Sequence, residues 1–241
     1  MLVSASACLL TVSIVGSTVF LLYKGYRRYE LKGKVRNFIE SLENRTAAEL
    51  DERALELKER PGVAKYVLPE LRKALAYPRS DDQIGAAIRI STAFLDHRGI
   101  EESLFRLRLD PREMVAGPAV AALSQMEPPE RAIAVLGRCL DGVDEGVVSD
   151  AVIDEVCAGL CRLGDAGRVE MQRHLSKLSA DRRLWLVGYV CEGGGPTMGP
   201  WLSMLARDGD LMVKSAAEGA IQDANAQGPA ASGNPRATSA P

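Results

Sequence analysis

Histidine is nearly absent from this chain and cysteine is sparse, with 2 and 5 residues in 241. That scarcity excludes much chemistry. Neither His97 nor His174 starts a paired metal motif, and Cys157 and Cys161, four apart in VCAGLC, supply at best half of a tetrahedral set. The thiols lack the dense spacing of a secreted disulfide scaffold, and a small buried core role fits Cys157 and Cys161 better than metal or redox work. A phosphate-binding loop and a dinucleotide glycine fingerprint are both missing. No cofactor and no metal site is expected. A formal net charge of -2 gives no broad attraction to nucleic acid. No persistent alternation of apolar and polar residues calls for a sheet.

What is present begins with an uncharged run, Leu2–Tyr23. As a helix its 22 residues would span roughly 33 Å, enough to cross a hydrocarbon core. No side-chain positive charge precedes it, which disfavours a cleaved signal peptide. Lys24, Arg27, Arg28, Lys32, Lys34 and Arg36 follow it. This bias predicts a single-pass membrane protein, N-terminus outside and body cytoplasmic, with the cations as topology determinants or contacts for anionic lipid. A cleaved signal and a buried core helix are the competing readings. Ser13 and Ser17, four apart, would let two anchors approach, so a homo-oligomer is open.

The remainder reads as helices in series. Thr46 and Glu49 form a capping box. Helical spacing then predicts segments over Val63–Ala76, with Pro69 a kink or boundary, Gln83–Asp96, Glu101–Leu109, Arg112–Gln125, Glu130–Leu140, Glu145–Arg162, Val169–Leu178, Arg182–Glu192, Pro200–Arg207 and Leu211–Ala224. The glycine stretches Gly164–Gly167 and Glu192–Pro196 are expected as joints, and Gln227–Pro241 as a mobile tail. The predicted organisation is an anchor over 1–23, a basic juxtamembrane helix or linker over 24–45, one helical domain over 46–225 and a disordered tail over 226–241.

Acids recur at the turns, at Asp82, Asp144, Asp181 and Asp210. DDQIGAAIRI, Asp81–Ile90, and DGDLMVKSAAEGAI, Asp208–Ile221, both place such an acid before a small and aliphatic helix. These turns resemble HEAT-like or armadillo-like repeats. The resemblance implies an α-solenoid of helix pairs, so the fold expected is all-α, with the transmembrane helix read from Leu2–Tyr23 followed by that solenoid, and it says almost nothing of activity. The histidine–glutamate pairs by which some HEAT-like enzymes hold metal are not in this sequence.

Trp185, Tyr189 and Trp201 are the candidate protein-binding residues, since rings anchor interfaces when they line an exposed groove; packing inside the core is their other role. The function expected is a membrane-tethered protein-interaction scaffold, adaptor or assembly factor with a membrane-associated protein partner. The alternatives are an enzyme with an unusual site in the helical domain and a constitutive subunit of a membrane complex.

Overall fold

A computed structural model describes residues 29–30, 32–42, 45–59, 62–78, 80–141, 143, 146–193 and 198–226. These residues form helices and connecting turns, with no strand among them. They cluster into two compact units that meet in sequence between Glu127 and Pro128.

The first unit holds α1 (residues 32–40), α2 (Ala47–Glu59), α3 (Ala64–Ala76), α4 (Asp81–Ser91), α5 (Arg98–Leu107) and α6 (Glu113–Leu123). The capping box starts α2 as expected: the Thr46 backbone N–H donates to Glu49 Oε2 at 2.8 Å, and the Glu49 N–H donates to Thr46 Oγ1 at 3.4 Å. Ser80 caps α4 by accepting from the Gln83 N–H at 3.1 Å. In α3 the helix continues through Pro69, which is neither its start nor its end. α4 packs on α2, α3 and α6, and α5 packs on α3 and α6. Val67, Leu71, Ile84, Ala87, Ile90, Ile100 and Leu104 are buried among them. Ion pairs tie α4 to the helices at its sides. Arg89 grips Asp51 of α2 with two bonds of 2.6 Å, and Arg112, just before α6, reaches Asp81 at 2.5 Å.

The second unit holds α7 (Pro129–Cys139), α8 (Asp150–Arg162), α9 (Gly164–His174), α10 (Ala180–Gly193), α11 (Met198–Leu205) and α12 (Leu211–Ala226). α7, α8 and α9 pack on one another; α9 also meets α11, and α10 packs on α8, α11 and α12. Gly164–Gly167 is not a joint but the first turn of α9. The reversal takes a single residue, Gly164, at φ +67°. Gly167 then lets α9 press on α8: a Cβ there would lie 2.0 Å from the Leu160 carbonyl oxygen. Of the turn acids, Asp210 caps α12, its Oδ1 accepting from the N–H groups of Met212 and Val213 at 2.9 and 3.2 Å. Asp82 and Asp181 lie in the first turns of α4 and α10, where a negative charge suits the helix dipole, and Asp144 falls outside the described residues.

The membrane-tethered architecture is corrected. No helix among the described residues is long and apolar enough to cross a membrane. The longest, α12, has 16 residues, roughly 24 Å against a hydrocarbon core of about 30 Å, and carries Lys214, Glu218 and Asp223. Leu2–Tyr23 and the tail after Ala226 lie outside the described residues, as do Lys24, Arg27 and Arg28. The fold class is therefore an all-α helical bundle in two units, in place of a transmembrane helix with an α-solenoid. The single-pass topology with an outside N-terminus and cytoplasmic body, the membrane-associated partner and the lipid contact lose their support with it. Two of the described cations of the basic cluster are paired locally, and the third, Lys32, is exposed. In α1, Lys34 pairs with Glu30 at 2.7 Å and Arg36 with Glu40 at 3.0 Å, while Val35 and Ile39 turn inward and are buried. The helix is amphipathic, with an inward apolar face and paired charges outside.

Candidate functional site

The site lies in the second unit, where α8, α10 and the start of α11 converge. α10 carries LWLVGYV across its middle. Leu186, Val187 and Val190 face the core and are buried. Trp185 and Tyr189, four residues apart, share another face. Their rings stack with centroids 5.2 Å apart and planes tilted by 22°. Trp185 is exposed and Tyr189 half-buried, so the pair runs from solvent inward.

Tyr189 ends at a cavity of about 250 Å³. Val190 joins it from α10, Cys161 and Arg162 from the end of α8, and Met198 and Trp201 from α11. Trp201 is 1% exposed, and its indole Nε1–H is buried with no acceptor. A buried donor left unmet costs about 1–3 kcal/mol, and buried tryptophan N–H groups usually find a partner. The three predicted rings thus reach one neighbourhood in two roles. Trp185 and Tyr189 form the outer pair, and Trp201 is a core residue that also lines the cavity.

The cavity thiol is chemically quiet. Burial pushes Cys161 up to about 12, with the Arg162 charge pulling weakly the other way. Burial likewise raises Cys157, helped by Cys161 and Asp154. Both are protonated at neutral pH, and a protonated thiol is neither a strong nucleophile nor a metal ligand. Cys139, Cys157, Cys161 and Cys191 are all free thiols. Among the described residues no group of three or more His, Cys, Asp or Glu side chains is placed to hold a metal ion.

The histidines are placed separately. His97 precedes α5, with Nε2 3.9 Å from Asp96. His174 is half-buried. Its Nε2 faces Glu170 Oε1 at 3.2 Å, and Nδ1 is buried without a partner. Glu170 also holds Arg173 at 2.8 Å, so its carboxylate is occupied in the helix surface. A wider cavity of about 410 Å³ lies along α9 and α11, with Arg168, Gln172, Ser203 and Arg207 among its walls. Arg168 is already held by Asp165 at 2.8 Å, and none of those side chains is a buried polar group lacking a partner.

Sequence reasoning found the rings but missed Arg162, Val190 and Met198. The signal for α8 was present: Cys157 and Cys161 lie on one helical face, and the next residue is Arg162. Nothing in the sequence pairs that face with α11.

Fold and site together define the class as an all-α helical protein with an aromatic-lined recess in its second unit. No protein-family model, curated protein or solved structure matches the chain. The likeness to HEAT-like and armadillo-like repeats rests on the turns quoted above.

Proposed function

We propose that the chain is a protein-recognition module, holding a partner polypeptide by one side chain seated in the recess of its second unit. The observation that carries this is the continuity of the exposed Trp185, the stacked Tyr189 and a cavity that Tyr189 and Trp201 both line. Aromatic side chains around a small desolvated pocket are the usual anchors of protein interfaces. A volume of about 250 Å³ lies below the roughly 300–1,000 Å³ of small-molecule and cofactor sites, and suits one anchoring residue. Protonated thiols support binding over nucleophilic chemistry. No membrane element enters this reading.

Selection of peptides from a displayed library against the full chain provides the test. Selected peptides are expected to lose about tenfold or more in affinity for the Trp185→Ala, Tyr189→Ala double variant, the loss typical of interface anchors. Equal affinity for native and doubly substituted chains, with folding unchanged, refutes the anchor role of α10.

A further inference from the structure

One face of α10 is open to solvent. Asp181, Leu184, Trp185, Gly188, Cys191 and Glu192 recur at helical spacing and are all exposed. The middle of this face is apolar and its ends are acidic. Gly188 makes a low point in it, since nothing lies within 4 Å of where a Cβ would stand. The arginines of the helix do not balance the acids. Arg182 is held by Asp150 and Asp154 of α8, and Arg183 by Asp208 and the Leu178 carbonyl. Asp181 and Glu192 have no ion-pair partner among the described residues. Burial raises the Cys191 thiol, and Asp223 of α12 and Glu192 raise it further, so both carboxylates lie close to it. Glu192 also falls in the last turn of α10, where the helix dipole favours a cation.

We infer that this face docks an amphipathic helix of a partner protein, with an apolar ridge laid over Leu184, Trp185 and Gly188 and a lysine or arginine beyond each end of that ridge. This rests on the protein-recognition reading above, the ridge supplying the side chain that enters the recess. α10 spends its main-chain groups internally, so an extended strand finds no backbone bonds to make along it. A helix satisfies its own main chain and presents side chains three and four apart. Gly188 admits one of them between the larger side chains on either side, as ridges enter grooves where helices pack. Asp181 to Glu192 spans roughly 16 Å, about three turns of a partner. Charge then selects that partner. One end cation meets Asp181 and the other meets Glu192 and Asp223, and because both ends are acidic either direction serves. A second copy of the chain is disfavoured, since aligning two such faces in either direction sets carboxylate against carboxylate. Nucleic acid and anionic lipid meet the same repulsion.

The test selects against the full chain from a second displayed library, of helical peptides about 14 residues long. Each carries an apolar ridge at helical spacing and, at each end, one position drawn from lysine, glutamate and glutamine. Lysine is expected to be enriched at both ends. The enriched peptide, synthesised, is expected to bind the Asp181→Asn, Glu192→Gln double variant about fivefold more weakly, the scale of two exposed ion pairs. High salt should remove most of that difference. Gly188→Gln fills the low point and is expected to weaken binding about tenfold while melting no lower than the native chain, because glutamine is the better helix former. A preference for glutamate, or none, at the ends overturns the basic-helix inference. The protein-recognition reading then stands if the bound peptides still weaken with Trp185→Ala, Tyr189→Ala. Equal binding by Gly188→Gln puts the peptide on another face and overturns the inference as well. So does a native dimer, read by light scattering, that Gly188→Gln converts to a monomer, for the occupant is then a second copy. Failure of this library alone removes the helix; failure of both libraries removes both readings.

Discussion

Replacing Gly167 by alanine sets two calculable effects against each other. Within a helix the change gains about 1 kcal/mol, because alanine loses less backbone freedom on folding. The new methyl carbon, however, would lie 2.0 Å from the Leu160 oxygen and 2.8 Å from its carbonyl carbon. To restore an ordinary contact of about 3.4 Å, α9 must retreat from α8 by about 1.4 Å. The obstacle is backbone and cannot rotate aside. The retreat loosens Met171 and Leu160, both 0% exposed. Overpacking of this kind costs about 1–3 kcal/mol and occasionally more, so the net expectation is a loss of about 1 kcal/mol. At this chain length that lowers the melting temperature by about 2–4 °C. Two other glycines of the same unit calibrate the result. Gly188, inside α10, has nothing within 4 Å of the place an added methyl would occupy, so Gly188→Ala should stabilise by about 0.5–1 kcal/mol. At Gly137 the methyl would meet Glu170 Oε1 at 2.3 Å, a side-chain end that can swing away while giving up its bonds to His174 and Arg173. Gly137→Ala should fall between the other two. Urea and thermal unfolding followed by far-ultraviolet circular dichroism read all three. A Gly167→Ala chain as stable as the native one, or less harmed than Gly188→Ala, refutes the account of how α8 and α9 meet.

Thr46→Ala removes one half of the reciprocal cap on α2 and should cost about 1 kcal/mol, seen as faster amide exchange in that helix's first turn. Acid should weaken the first unit through two carboxylates held below the usual range, Asp51 by the bonds from Arg89 and Asp110 by those from Arg112. A depressed folded-state pKa adds stability above the unfolded value of about 3.9, and that stability is lost as pH falls through the folded value. Unfolding free energy should therefore decline below about pH 5, and less steeply in an Asp51→Asn, Asp110→Asn chain; parallel acid profiles count against this source. Near neutral pH the Asp51–Arg89 coupling in a double-mutant cycle should stay below about 1 kcal/mol, because the two side chains are 55% and 45% exposed.

The helices were legible because their signals are local. The capping box at Thr46 and Glu49, the four-residue spacing of Val152, Val156 and Leu160, and the prolines at 128 and 129 each act within a turn or two. Gly164–Gly167 misled because the sequence shows two glycines but not their different duties, one reversing the chain and one admitting a neighbouring helix. The recess was only half legible. Trp185 and Tyr189 announce their shared face by spacing, whereas the meeting of Arg162 with Trp201 depends on how α8 and α11 pack around α10. The apolar run Leu2–Tyr23 has membrane-like composition, yet composition alone does not establish a span, and no described helix is long and apolar enough to cross a membrane.

Gly167 seats against Leu160, and Leu160 is the immediate neighbour of Cys161 and Arg162 at the wall of the recess. That wall is thereby clamped from behind. On the proposed recognition role, a guest entering the recess would meet a surface already in its final position and spend little ordering freedom there. The tightness of the hold on that guest would consequently be set in part by a residue it never touches.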